Sequence, residues 1–302
     1  MRLCKPSFEI IEQQSGLKGL YKQIELSGRV AYKSEDKITE DSYKGFVDRI
    51  IKLNHGAVLE HGTVYLKIPI YAATSYRIDE YKNNSYSKTQ INMDGESCYY
   101  ITTNMRVLVE HNWLEDLKYI CEPTEHHEKR VCVRFICDRG ISHEFVRHRT
   151  FSFLMESTRY CNYSKDKFNN EITFILPCWL NIPEGKYTNI AKQFNEDGEY
   201  KQIMLHENNI NAYPLTTTSE GRFLWSCYWS EHDYFDLLNY GWKPQQARAV
   251  LPNSLKTELI MTGFISDWKH FFKLRDAGSA HPQAQELAKP LHEEFIKRGY
   301  IK

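Results

Sequence analysis

The side chains best equipped for chemistry lie in one short stretch: Arg147-His148-Arg149, then seven residues, then Ser157 within Glu156-Ser157-Thr158-Arg159-Tyr160. Three potential cations stand side by side, and a hydroxyl and a fourth cation follow one loop later. Arginine forks grip phosphate and carbonyl oxygens in bidentate fashion, and a serine hydroxyl fills the gaps between them. Such a stretch is an anion-binding pocket written in sequence. Arginines do not titrate usefully, so their roles are charge stabilisation and orientation. His148 is wedged between two arginines; neighbouring cations lower its pKa and favour a neutral ring, suited to stacking or hydrogen bonding. Ser157 has no evident Asp–His pair to activate it, which makes it a phosphate ligand rather than a nucleophile.

Three further segments hold chemistry-bearing residues. His55-Gly56-Ala57-Val58-Leu59-Glu60-His61 sits at a helix–strand junction and, taken alone, reads as a polar turn with a satisfied histidine. Gln246-Ala247-Arg248-Ala249-Val250-Leu251-Pro252-Asn253 places one arginine on a short helix ended by Leu-Pro. Ser266 to Arg275, followed by Ala280-His281-Pro282, reads alone as an amphipathic helix with Phe271, Phe272 and Leu274 in a core. The eight cysteines (4, 98, 121, 132, 137, 161, 178 and 227) are scattered, and no pair has the two-residue spacing of a zinc or redox motif. No metal site is expected, and the thiols are expected to be reduced and mostly buried.

The elements that must position these residues are read from periodicity. Residues Asp41 to His55 predict a helix with Tyr43, Phe46, Val47, Ile50 and Ile51 on one face. Gly62 to Ile70 predicts a strand with Val64, Leu66, Ile68 and Ile70 on one side. Tyr71 to Arg130 is rich in Asn, Tyr, Ser, Glu and Lys, with loop-like Lys82-Asn83-Asn84-Ser85 and Gly95-Glu96. It reads as an insertion or elaborated loop, helical in part between Thr102 and Tyr119. Val131 to Cys137 predicts a strand with Val131, Val133, Phe135 and Cys137 on one face. Ser142 is the expected N-cap of a helix ending near the Arg-His-Arg triplet. Downstream come helices at Ser219–Tyr240 (closed by Gly241) and Pro244–Val250, and a strand at Lys256–Ile265. A helix at Asp267–Arg275 with Ser266 as its cap follows, then a last one from Pro282 to Gly299 with Leu287, Leu291 and Phe295 in a stripe. Helices and strands mix without regular alternation, which predicts an α+β fold rather than a doubly wound sheet.

The chain has 302 residues, enough for one large or two small domains. Lys plus Arg and Asp plus Glu are 39 each, so the formal net charge is zero. Proteins that coat nucleic acid normally carry a basic excess. The basic cluster is therefore local and favours a small anionic ligand over a nucleic acid partner. Met1 to Ser15 does not read as a signal peptide, and no apolar run approaches the ~20 residues of a membrane span. A cytoplasmic protein without a membrane partner is expected.

Taken in order, the four segments resemble the signature segments of the flavin-dependent thymidylate synthases, and Arg-His-Arg-(seven residues)-Ser is the most specific of them. The resemblance implies a single domain over 1–302, a mixed, largely antiparallel sheet with flanking helices, and an insertion at 71–130. It implies reductive methylation of dUMP to dTMP, with methylenetetrahydrofolate as carbon donor and NADPH-reduced FAD as hydride source, and no cysteine attack on the uracil. By the same resemblance, dUMP is held by Arg147, Glu156, Ser157, Arg159, Arg248 and Arg275. FAD is held by His55, Ala57, Glu60, Arg147, His148, Arg149, Met155, Ser266 and His270. Arg275 is the catalytic residue, stabilising the N3-deprotonated uracil as an oxyanion hole stabilises developing charge. Family members are homotetramers whose sites form between subunits.

Several positions depart from the family pattern. Met155 stands where Gln or Glu is usual, Ala57 where Thr or Ser is frequent, and His270 where Asn is frequent. Glu144 stands where a Gln often helps to hold the nucleotide. A carboxylate facing a phosphate repels it, so Glu144 is expected to point elsewhere or to pair with an arginine. Pro177-Cys178 mimics the Pro-Cys pair of the cysteine-dependent thymidylate synthases, but nothing nearby lowers that thiol's pKa. The alternative of another class is a non-catalytic nucleotide- or RNA-binding protein, in which arginines, 20 tyrosines and 15 phenylalanines stack bases. The zero net charge argues against it.

Overall fold

Val131, Val133, Phe135 and Cys137 point to one side of a strand because strand side chains alternate, and all four are buried in one apolar cluster. That strand anchors the sheet on which the arginine triplet hangs. In the computed structural model, residues 1–93, 97–194, 200–208, 212–214 and 218–302 are described. The expected turn at Gly95-Glu96 lies outside them.

The chain opens with β1 (Arg2–Cys4), β2 (Ser7–Ile11), α1 (Gly16–Tyr32), α2 (Ser42–Lys52), α3 (Gly56–Leu59) and β3 (Thr63–Pro69). It continues through α4 (Ser75–Asn83), β4 (Lys88–Asn92), β5 (Cys98–Asn104), α5 (Met105–Glu110), β6 (Arg130–Asp138), α6 (Arg139–Phe145) and β7 (Ser152–Met155). Then come β8 (Thr173–Ile175), β9 (Gly185–Phe194), β10 (Tyr200–His206), β11 (Ala212–Pro214), α7 (Ser219–Asn239) and α8 (Pro244–Ala247). The last elements are β12 (Lys256–Phe264), α9 (Ile265–Arg275) and α10 (Pro282–Lys297).

The fold is α+β, as expected. The strands form three sheets rather than one: β2-β6-β12-β7, β3-β5-β4 and β11-β10-β9-β1-β8. Among these pairings only β1 with β8 is parallel. The four-stranded sheet holds the site. β12 pairs with β6 along its whole length and with β7 on its other side, Leu259 opposite Met155. One face of this sheet packs on α6, α9 and α10 through Phe145, Trp268, Phe271, Leu291 and Phe295. On the other face, Val30 of α1 meets Cys132 and Ile260. Burying an aromatic or leucine side chain contributes about 1.5–3 kcal/mol, which makes this face a rigid base for α9.

Three sequence expectations are corrected. The segment 71–130 is not mainly loop: β5 is the central strand of the three-stranded sheet, between β3 and β4. The α6 cap is Asp138, whose carboxylate accepts from Ile141 N at 2.7 Å. Ser142 lies inside that helix and donates to Arg139 O at 2.9 Å. An aspartate at the strand end outcompetes the serine because the helix is capped four residues earlier than its apolar pattern suggests. In α9, Ser266 is likewise in the first turn, and Asp267 reaches back to accept from Phe264 N at 3.0 Å. All eight cysteines are free, and five are buried. Among the described residues no helix is long and apolar enough to cross a membrane.

Candidate active site

Helix α6 ends at Phe145, and a turn closed by His148 N donating to Phe145 O (3.1 Å) presents the triplet. Arg147 and Arg149 are exposed, while His148 between them is 8% exposed. Its ring packs on Phe271 at 5.1 Å and stands 6.2 Å from the ring of His270, both on α9. The end of α9 delivers Arg275. Its Nε donates to His148 Nε2 at 3.0 Å, its Nη1 to Glu144 Oε2 at 2.5 Å and its Nη2 to Glu144 O at 2.8 Å. The Nε2 of His148 is therefore an acceptor, and the ring proton sits on Nδ1. Burial, then the charges of Arg275, His270 and Arg147, bring the His148 pKa down to about 4. The ring is neutral, as expected, but burial and an arginine 127 residues away do more than the adjacent Arg147.

Glu144 pairs with an arginine, as its chemistry demanded. A guanidinium has five N–H donors; Arg275 commits three here, which leaves two for a ligand. Arg147, Arg149, His270, Arg275, Ser279 and His281 line a cleft of about 800 Å³. Among the described residues no carboxylate pairs with Arg147 or Arg149. A recess of about 340 Å³, walled by Trp179, Phe223 and Gln283, shares Glu144 and His281 with the cleft.

A second group lies just past β7. Arg248 Nη1 donates to Thr158 Oγ1 at 2.9 Å, and Arg159 Nε donates to Gln245 Oε1 at 3.3 Å. These bonds stitch the Ser157–Tyr160 loop to α8. Ser157 N donates to Ala31 O at 3.0 Å and fixes the loop against the end of α1. Glu156 is 3% exposed, and its carboxylate is taken by Lys256 Nζ at 3.0 Å. Lys256 also reaches Glu258 at 2.5 Å, and Lys33 and Arg134 close on the same Glu258 carboxylate. Burial alone would raise the Glu258 pKa, but Lys256 and Lys33 override it and hold the pKa at about 2.

A third group is the turn at α3. His55 and Ala57 are exposed, and Glu60 pairs with Arg106, which also donates to Glu110 Oε1 at 2.7 Å. A Cβ at Gly56 would stand 2.8 Å from Arg106 Nε, so the turn passes this side chain as only glycine allows without a shift. Buried Arg130 ties the turn to the β7 edge: its Nη1 donates to Glu60 O at 3.1 Å and its Nη2 to Ser152 Oγ at 3.2 Å. Met155 packs its partly buried side chain against the core and pairs by main chain with Leu259. Ser266 is exposed, and its N–H donates to Glu128 Oε1 at 3.0 Å.

The structure thus brings together Arg147, His148, Arg149, His270 and Arg275. It brings Glu156, Ser157, Arg159 and Arg248 into a second group, and leaves His55, Ala57 and Glu60 in a third. The short strand β7 is their common reference: the triplet precedes it, the Ser157 loop follows it, and the α3 turn is fastened to its edge. Reading the sequence missed Arg106, Arg130, Thr158, Lys33, Lys256 and Glu258. Lys256 and Glu258, two apart in a strand, share one face; that spacing in an otherwise apolar run was the available signal. Cys178 is exposed, and partial burial with nearby Glu286 raises its pKa, which does not suit a nucleophile.

Residues 70–298 match the family model described as "Thymidylate synthase complementing protein". The flavin-dependent thymidylate synthase of Pyrococcus furiosus is 28% identical over 166 residues, covering 55% of this chain and 54% of that protein. The one of Corynebacterium aurimucosum is 25% identical over 235 residues, covering 74% of this chain and 84% of that protein. The chain therefore spans about half the length of the Pyrococcus relative and more of the Corynebacterium one. Among solved structures, the UMP/dUMP methylase PolB from Streptomyces cacaoi bound with 5-Br dUMP is 17% identical, with a TM-score of 0.40 over 98% of this chain and 93% of that one. An overlay that loose transfers no residue.

Proposed function

We propose, from the premise that the chain belongs to the thymidylate synthase complementing protein family, that it converts dUMP to dTMP. Methylenetetrahydrofolate is the carbon donor, and FAD reduced by NADPH, when bound, supplies the hydride. One observation carries this reading: two exposed arginines without carboxylate partners flank a neutral, buried histidine in a cleft of about 800 Å³. Small-molecule sites have volumes of roughly 300–1,000 Å³. Unpaired arginines beside an uncharged imidazole suit the phosphates and the flat ring of a flavin nucleotide.

The chain's own residues divide the work. Arg147, Ser157 and Arg159 hold the dUMP phosphate and sugar, with Glu156 kept in place by Lys256. Arg248 holds the pyrimidine. Arg275, oriented by Glu144 and His148, directs its two remaining N–H groups at N3 and the adjacent carbonyl, where negative charge develops. His148, Arg149, His55, Ala57, Glu60, Ser266 and His270, with Arg147 and Met155, line the flavin. The separation of the α3 turn from the arginine cleft supports a site completed by a second copy, within a homotetramer. The 1–302 chain acts as one cytoplasmic domain, and 71–130 is an elaboration of it.

The test is product formation. Purified protein given dUMP and methylenetetrahydrofolate should form dTMP only when FAD and NADPH are supplied. Formation of dTMP without flavin would move the reading to a cysteine-dependent route, with Cys178→Ala as the check. No dTMP with a full set of substrates would overturn it.

A further inference from the structure

Helix α3 is a single turn, Gly56–Leu59, and only Val58 and Leu59 in it are buried. So short a helix does not hold itself by its own hydrogen bonds, because the first turn is the costly one to form. His55 and Ala57, two of the residues it offers to the flavin, are exposed. Their placement therefore depends on what grips the turn from outside.

Two arginines grip Glu60, where the turn ends. Buried Arg130 takes the main-chain carbonyl, its Nη1 donating to Glu60 O at 3.1 Å. Arg106, with a part-exposed side chain, takes the carboxylate: its Nη1 donates to Glu60 Oε1, and its Nε donates to Glu110 Oε1 at 2.7 Å. The same side chain lies against the main chain of the turn. A Cβ on Gly56 would stand 2.8 Å from Arg106 Nε, 3.1 Å from its Cδ and 3.2 Å from its Cζ.

Arg106 is itself fixed. It stands in the first turn of α5, where Asn104 Oδ1 accepts from Val107 N at 3.1 Å and Met105 N donates to Gly62 O at 3.0 Å. Met105, Val107 and Leu108 pack in the same apolar cluster as Val58 and Leu59. Glu110, one turn further along α5, holds the guanidinium from its own helix. The grip on the 55–60 turn thus comes from the 71–130 segment.

We propose that Arg106 is a positioning residue for the flavin. It acts through Glu60, setting that carboxylate and the main chain of the 55–57 turn for the cofactor. The proposal rests on the flavin reading of this turn, and it gives the 71–130 segment, through α5, a share in cofactor binding.

The test is a double-mutant cycle read by FAD binding rather than by turnover. Protein freed of flavin is titrated with FAD, and free FAD is measured by its visible absorbance after ultrafiltration. Arg106→Ala should weaken FAD binding about fivefold, the scale of one part-exposed ion pair, and leave the urea midpoint and the dUMP affinity nearly unchanged. Glu60→Gln should weaken FAD binding at least as much. Because Arg106 acts through Glu60, the double variant should bind FAD no worse than Glu60→Gln alone. Should Arg106→Ala not fold, Arg106→Gln completes the same cycle. Additive losses, an Arg106→Ala affinity within about twofold of the wild type, or a loss of affinity matched by a loss of stability would each overturn the proposal and leave the flavin reading standing. A wild-type protein that binds no FAD would overturn that reading, and this proposal with it.

Discussion

Two clusters of charge lie close in sequence to β7 and its neighbour β12, built from the same residue types, and they end differently. Around Glu258, three cations and a second carboxylate close on one another: Lys256 bridges Glu156 and Glu258, while Lys33 and Arg134 complete the set. Around Arg147 and Arg149, the cations face a cleft and meet no carboxylate among the described residues. The first cluster has spent its charge on the fold, and the second keeps it for a ligand. Arg275 stands between these cases, anchored by Glu144 yet with two donors uncommitted. What separates structure from function here is the partner each charge has, not the density of charge.

That contrast breaks most sharply at Glu258. Glu258→Gln leaves Lys33, Arg134 and Lys256 around a carboxylate that is gone, and breaking a buried pair costs about 3–5 kcal/mol. Urea denaturation should show a loss of that order; a change below about 0.5 kcal/mol, the range of ordinary surface substitutions, would show the network to be idle. In the cleft, Arg275→Ala should raise the barrier by about 2.7–4 kcal/mol while flavin content changes little. Equal loss of turnover and of bound flavin would remove Arg275 from its catalytic role. Arg147→Ala should leave the urea midpoint nearly unchanged, because the side chain is exposed and unpaired. It should weaken dUMP binding about 10- to 100-fold, the range of one charge-assisted hydrogen bond. A large loss of stability would mean that the arginine is structural after all.

The smallest effect separates the clusters by pH. His148 titrates near 6.5 when unfolded and near 4 when folded. Between those values the unfolded chain binds a proton that the folded chain refuses. Stability therefore falls as pH drops below about 6.5, by at most about 1.4 kcal/mol per unit for one such group. Buried His61, depressed to about 3, adds a loss of the same sign. Glu258 acts lower down: its pKa falls from 4.5 to about 2 on folding, so its contribution is lost only as pH drops through that interval. His148→Gln should remove about one proton from the stability slope between pH 6.5 and 4.5 and leave the acid limb unchanged. An unaltered slope would place His148 in water rather than against Phe271.

The sequence made the apolar frame plain and hid the polar connections. α2, β6, α7 and α10 were legible because their buried faces repeat at helical or strand spacing. β4 and β5 were not, because Lys88, Gln90 and Asn92 dilute one, and the other buries Thr102, Thr103 and Asn104. Polar residues in a central strand read as loop until their neighbours are known. The triplet was legible as an anion site, since three adjacent cations have few other uses. The grip of Glu144 on Arg275 joins residues 131 apart, and that of Arg134 on Glu258 joins residues 124 apart. No local pattern encodes either.

The most direct measurement is NADPH oxidation by the purified protein with FAD and methylenetetrahydrofolate present, with dUMP added last and dTMP followed in the same tube. Oxidation that rises on adding dUMP and is matched one-for-one by dTMP is the predicted result, and Arg147→Ala should shift the dUMP dependence to higher concentration. Oxidation indifferent to dUMP, with no dTMP formed, would contradict the assignment of the arginine cleft to nucleotide chemistry.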